Sequence, residues 1–171
     1  MKWPVNLLAG ICVVLAVLMF AQKNQMDDLQ RRYLADKQAA NVAQEQQIAV
    51  AKTKCGAQAE KVFASLGYSE TKTSNTNPFG DGLTDHYNPQ LKRCVMLIET
   101  NHFIDGRGDK SKMLMDADER KPLGEYLWLS SETKKYWEQK PITCHMTPPD
   151  KPEAFCHSTE EFDNYVKTLM D

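Results

Sequence analysis

Two Cys-His dipeptides, Cys144-His145 and Cys156-His157, form the one repeated pattern in this chain whose residue types could do chemistry. Two thiolates and two imidazoles make a tetrahedral zinc set when they converge. The spacing argues against convergence. Pro148-Pro149-Asp150-Lys151-Pro152 is a loop signal between two short strand-like runs, so 141–157 reads as a hairpin. Successive side chains of a strand point to opposite faces, which sends both cysteines one way and both histidines the other. A loop closing symmetrically on those five residues sets Thr147 opposite Glu153 and Cys144 opposite Cys156. As a non-hydrogen-bonded pair, the two cysteines would sit at the spacing a disulfide needs. That bridge leaves Cys55 to pair with Cys94, and leaves His145 and His157 diagonal on a shared surface. No metal and no cofactor is assigned.

The remaining polar constellations are weaker. His86 beside Asp85 suggests a base with an orienting carboxylate, but neighbours in a strand diverge and no nucleophile falls next to them. The chain holds no Gly-rich phosphate loop, His-Glu-x-x-His, Cys-x-x-Cys or Gly-x-Ser-x-Gly, so no catalytic residue is assigned. Arg107-Gly108-Asp109, within Asp105–Asp109, reads as part of a tight turn. Tyr126 and Trp128 share one face of a strand, and Tyr136 and Trp137 follow in a polar stretch. Such aromatics pack as core or cradle a sugar ring or peptide. With His86 they form the candidate binding set.

These residues need a scaffold, and the segment Asp85–Glu99 supplies its centre. Asn88-Pro89 breaks the chain, because proline fixes φ and donates no hydrogen bond. Cys94-Val95-Met96-Leu97-Ile98 follows as the densest β-forming run, a strand buried on at least one face. Tyr87 and Leu91 are expected to pack beside it. Residues 124–129 form the next strand, Met113-Leu114-Met115 a shorter one, and the charged segment 116–120 is expected to be exposed. The polar stretch 70–83 carries several turn signals. In Lys54–Gly67, a separate helix or a continuation past Gly56, residues Ala59, Val62, Phe63 and Leu66 make one apolar face, and Gly67 suits the position that ends it. Ser158 and Glu161 form a capping box for a last helix that buries Phe162, Tyr165, Val166 and Leu169.

Ahead of this domain lie two segments of different character. Residues 3–21 carry no charge, and at helical rise they match the ~30 Å hydrocarbon core. Two readings fit, an uncleaved anchor and a cleaved signal. The anchor is preferred because Met19 stands at −3 where a small residue belongs. Residues 22–54 lack Gly and Pro and are rich in Gln and Ala, which favours a helical stalk reaching about 50 Å. Its best heptad seam runs Met26, Leu29, Tyr33, Asp36, Ala40, Ala43, Gln47 and Val50. Self-association and a solvated helix both fit that pattern.

Composition narrows the partners. The 171 residues carry a formal net charge of −2, which offers no basic footprint for nucleic acid. Four of the five cysteines lie in the polar part, an even number that suits an oxidising compartment. That places the amino terminus inside and the domain outside.

The segments His86-Tyr87-Asn88…Leu91…Cys94…Ile98-Glu99 and Gly124-Glu125-Tyr126-x-Trp128, with Cys156-His157-Ser158 and Phe162 at the close, resemble a group of small uncharacterised bacterial envelope proteins. The resemblance spans about Cys55 to Met170. It implies an exported, disulfide-bonded domain and brings no activity or cofactor. The expected whole is an inner-membrane anchor (1–21), a helical stalk (22–54) and a periplasmic α+β domain (55–171). In that domain an antiparallel sheet of 4–6 strands packs on two helices. The expected role is an envelope binding or adaptor module with an envelope protein partner, against a hydrolase or redox enzyme and a structural tether.

Overall fold

The structure, a computed structural model, describes residues 5–69, 80–104, 107–130, 139–149 and 151–171, without the side chains of 5–18, 21, 103, 104 and 107. A helix α1 spans Val5–Ser65 without a break, so Gly56 neither ends nor restarts it. Six strands follow, β1 (Gly80–Asn88), β2 (Arg93–Ile104), β3 (Arg107–Asp116), β4 (Lys121–Leu129), β5 (Thr143–Met146) and β6 (Ala154–Phe155), and then α2 (Thr159–Met170). All neighbours pair antiparallel in chain order, giving a six-stranded meander. The chain divides into two compact units, Met1–Gln47 and Ile48–Asp171.

In the first unit the described side chains of α1 from Met19 onward are exposed, with one ion pair between Asp28 and Arg32 at 3.5 Å. Among the described residues no helix is long and apolar enough to cross a membrane. In the expected anchor, Trp3–Ala21, residues 3 and 4 and the side chains of 5–18 and 21 lie outside the described residues.

The second unit is α+β, as expected, and both faces of its sheet are covered. Cys94, Met96 and Ile98 of β2 cluster with Cys55, Ala59, Val62 and Phe63 of α1. Val95 and Leu97 cluster with Phe162, Tyr165, Val166 and Leu169 of α2. Because alternate strand residues face opposite ways, the two helices lie on opposite faces. An unbroken apolar run is what such a doubly buried strand requires. The α1 cluster takes residues from β1, β2 and β3 and none from β4, β5 or β6.

Local chemistry ends each element. Gly67 has φ +86°, a left-handed conformation glycine adopts without a Cβ penalty. Its N–H bonds Ala64 O and that of Tyr68 bonds Phe63 O, a Schellman close whose apolar contact is Tyr68 stacked on Phe63, centroids 5.5 Å apart. Leu66, expected on the buried face, is instead exposed, because the chain has begun to turn there. In α2, Ser158 Oγ accepts from Glu161 N–H as expected, but the Glu161 carboxylate reaches one residue further back, to His157 N–H at 2.7 Å.

Two turns at one end of the sheet use the same device. Asn88 Oδ1 accepts from the N–H of Gln90 and Leu91, and Asp116 Oδ1 accepts from Asp118 and Glu119. Lys92 and Arg120, each four residues on, both have φ +53°. Such side-chain turns explain Asn and Asp at these positions. Asp116, expected on an exposed charged segment, is buried because Oδ2 also receives Arg93 Nη1 at 3.0 Å. Leu91 is partly exposed on the outside of its turn instead of packed against the core.

A register shift between Leu114 and Met115 leaves Leu123 without a ladder partner on β3 and accommodates Pro122 within β4. The Leu123 carbonyl accepts from Thr147 N–H and from Tyr165 Oη. Gly124 lies directly under α2. A Cβ there would stand 3.1 Å from both His145 O and Phe162 Cε2 and 3.3 Å from Tyr165 Cε1.

Asp116→Ala should lower stability by about 2–3 kcal/mol, since it deletes two turn bonds and leaves Arg93 the more distant Glu119 at 3.5 Å; urea unfolding should show a lower midpoint with an unchanged slope. Burial raises Tyr165 from 10.0 to about 12. The folded state then holds this proton more tightly than the unfolded chain, so its contribution is intact below pH 10 and lost as pH rises towards 12. Thermal melts across that window should fall more steeply for the native chain than for Tyr165→Phe.

Candidate functional site

Both expected bridges are present. Cys55–Cys94 spans 5.2 Å between Cα atoms and Cys144–Cys156 spans 5.0 Å. His145 opposes Phe155 and Met146 opposes Ala154, so the symmetric loop closure is correct. The pair type is not the expected one. Cys156 N–H donates to Cys144 O at 3.0 Å, which makes this a hydrogen-bonded pair whose Cα separation still suits a disulfide. All four cysteines are buried beneath the helices.

Of the expected binding set, Tyr126, Trp128 and His86 fall among the described residues. Tyr126 is 2% exposed, tilted against Phe162 at 5.8 Å with its hydroxyl 2.6 Å from Thr159 Oγ1. It is core, because β4 turns this side towards α2. Trp128, on the same face, is half-buried and packs against that cluster. His86 lies opposite Val95 on β1, on the α2 side, half-buried, and its Nε2 has no hydrogen-bond partner among the described residues. Tyr136 and Trp137 lie outside the described residues. Leu127 and Leu129 face the other way, as expected.

His145 points away from Cys144, and its Nε2 stands 3.9 Å from Glu125 Oε2 and 4.0 Å from Glu153 Oε1. His157 is exposed beyond the end of β6. Among the described residues no group of three or more His, Cys, Asp or Glu is arranged to hold a metal ion.

One polar cluster was missed from the sequence. His102 on β2 places Nε2 3.4 Å from Asp81 Oδ1 on β1 and Nδ1 3.6 Å from Asp109 Oδ2 on β3. A carboxylate faces each ring nitrogen. Thr100 and Ser111, the next pair along this face, bond each other at 3.0 Å. The arrangement brings charged groups of three neighbouring strands together. The strand register sets His102 opposite Asp109. The same register corrects the tight-turn reading of Arg107-Gly108-Asp109, which lies within β3.

Among the described residues of the second unit, two open regions stand out. A cleft of about 350 Å³ lies between the β1–β2 turn and the end of α2, lined by Asn88, Pro89, Gln90, Lys167, Thr168 and Asp171. Asn88 is fully engaged there, donating to Leu169 O and accepting two turn N–H groups. The other is the part of the sheet face over β4, β5 and β6 that the α1 cluster does not reach. It carries Phe155 at 75% exposure and Leu129 at 40%, with Leu127, Thr143 and the His145 group between them. This half-face is the candidate interaction surface.

Comparison with family models, curated proteins and solved structures finds no match to this chain.

Tyr126→Ala should cost about 3–5 kcal/mol, whereas Phe155→Ser should leave unfolding within about 0.5 kcal/mol of the native chain. Equal losses in chemical denaturation would place Phe155 in the core and remove the half-face.

Proposed function

We propose that the chain is a single-pass bacterial inner-membrane protein whose C-terminal domain is a periplasmic binding or adaptor module for an envelope protein. The observation that carries this reading is the joining of all four domain cysteines into two bridges, downstream of the uncharged stretch 3–21. Disulfides persist where the compartment is oxidising, and nineteen uncharged residues are the length of an anchor. The resemblance to small envelope proteins points the same way. Within the module, the half-face around Leu129 and Phe155 is the surface that engages the partner, because exposed apolar groups there are backed by a rigid, stapled sheet.

The enzyme readings receive less support. A redox role needs a sulfur that an attacking thiolate can reach, and these four are covered. A hydrolase needs a hydroxyl or thiol beside a histidine nitrogen; His102 turns both nitrogens towards carboxylates, and His86 Nε2 meets no hydrogen-bonding group among the described residues. A purely structural tether would share the anchor and the bridges but use no surface.

Intact mass of residues 22–171 recovered from the periplasm should fall about 4 Da below the all-thiol value and rise by that amount on reduction (about 2 Da per bridge). External protease should reach the domain only after the outer membrane is opened. A photo-crosslinker replacing Phe155 should give one discrete adduct that the same group at exposed Lys167 does not. Four free thiols would reject the export reading; matching adduct patterns at both positions would leave the tether.

A further inference from the structure

Between Lys23 and Gln47 every side chain of α1 is exposed. Five of them are large and apolar: Leu34 at 51% and Val42 at 52% stand apart from the other three, Met26 at 66%, Leu29 at 57% and Tyr33 at 66%. Steps of three and four residues put these three on one stripe, which continues through Asp36, Ala40, Ala43 and Gln47. A solvated helix of this kind is held by many i,i+4 ion pairs. Among the described residues this segment has one, Asp28–Arg32, with both side chains well exposed, and such pairs contribute little.

We propose that this stripe is a contact between two copies of the chain, wound parallel and in register as a two-stranded coiled coil. The charge pattern selects a second copy. With Met26 at an a position, Asp36 falls at d and Lys37 at e. In a parallel pair a d side chain packs against the e residue of the other helix, so each Asp36 meets the other copy's Lys37, twice by symmetry. The acid in the seam is thereby matched, and an offset or antiparallel pairing loses the match. Arg32, at g, approaches the same lysine, and its own Asp28 offsets that charge. Ala40 and Ala43 let the two backbones approach closely beyond this polar layer. The contact does not depend on the membrane reading, since it needs only the exposed helix.

The test uses the full chain in detergent micelles, in a Cys12→Ser background. Single substitutions Ala40→Cys and Ala43→Cys lie in the seam, and Gln38→Cys lies on the far side of the helix. Mild oxidation should give cross-linked dimer at 40 and 43 and not at 38. Adding Asp36→Lys, which sets like charges against each other, should cut cross-linking at 40 about tenfold, while unfolding of the second unit stays unchanged. Equal cross-linking at 38, 40 and 43, no dimer at any of them, or insensitivity to Asp36→Lys would each overturn the proposal. Topology is measured separately, so a dimer with the wrong topology rejects the anchor alone, and a monomer with the right topology rejects the coil alone.

Discussion

The domain depends on one strand being buried from both sides. β2 sends Cys94, Met96 and Ile98 under α1 and Val95 and Leu97 under α2, so neither helix can leave without exposing half of the strand. Burial of this kind stabilises at roughly 25 cal/mol per Å² of apolar surface, and here it acts on both faces of the same five residues. The Cys55–Cys94 bridge sits at the start of that run. It fixes the helix to the sheet where the packing begins, which limits sliding of α1 along β2.

The second helix is placed by polar contacts as much as apolar ones. The Lys112 ammonium, nearly buried on β3, reaches Asp163 of α2 at 2.5 Å and Glu99 of β2 at 3.3 Å. Asn88 ties the end of the helix through Leu169 O, and Tyr165 ties its middle through Leu123 O. Buried polar groups are costly unless satisfied, so these contacts admit one crossing of helix over sheet. Gly124 belongs to the same constraint, because a Cβ there would press on Phe162 and Tyr165 of α2 at 3.1 and 3.3 Å.

Much of this was legible in the chain. The apolar run, the proline break, the capping serine and the hairpin loop each carry a local mechanism, and the structure uses each one. The connectivity of the cysteines followed from the register of a single loop. What the sequence did not yield depends on contacts between distant segments. Tyr126 read as core or as part of a binding surface, and only the placement of α2 over it decides for core. Asp116 looked exposed among its charged neighbours, since nothing local announces that Arg93, 23 residues away, reaches it. His102 acquires its meaning only from carboxylates on two other strands.

The two bridges join consecutive cysteines of the domain, Cys55 with Cys94 and Cys144 with Cys156, at separations of 39 and 12 residues. A domain threaded from Cys55 towards Asp171 into an oxidising space would present its first pair before the third cysteine arrives. Oxidation in order of arrival therefore produces the native connectivity directly. Such a domain can mature without an isomerase to reshuffle its sulfurs, and a meander whose neighbours pair in chain order matures by the same vectorial schedule.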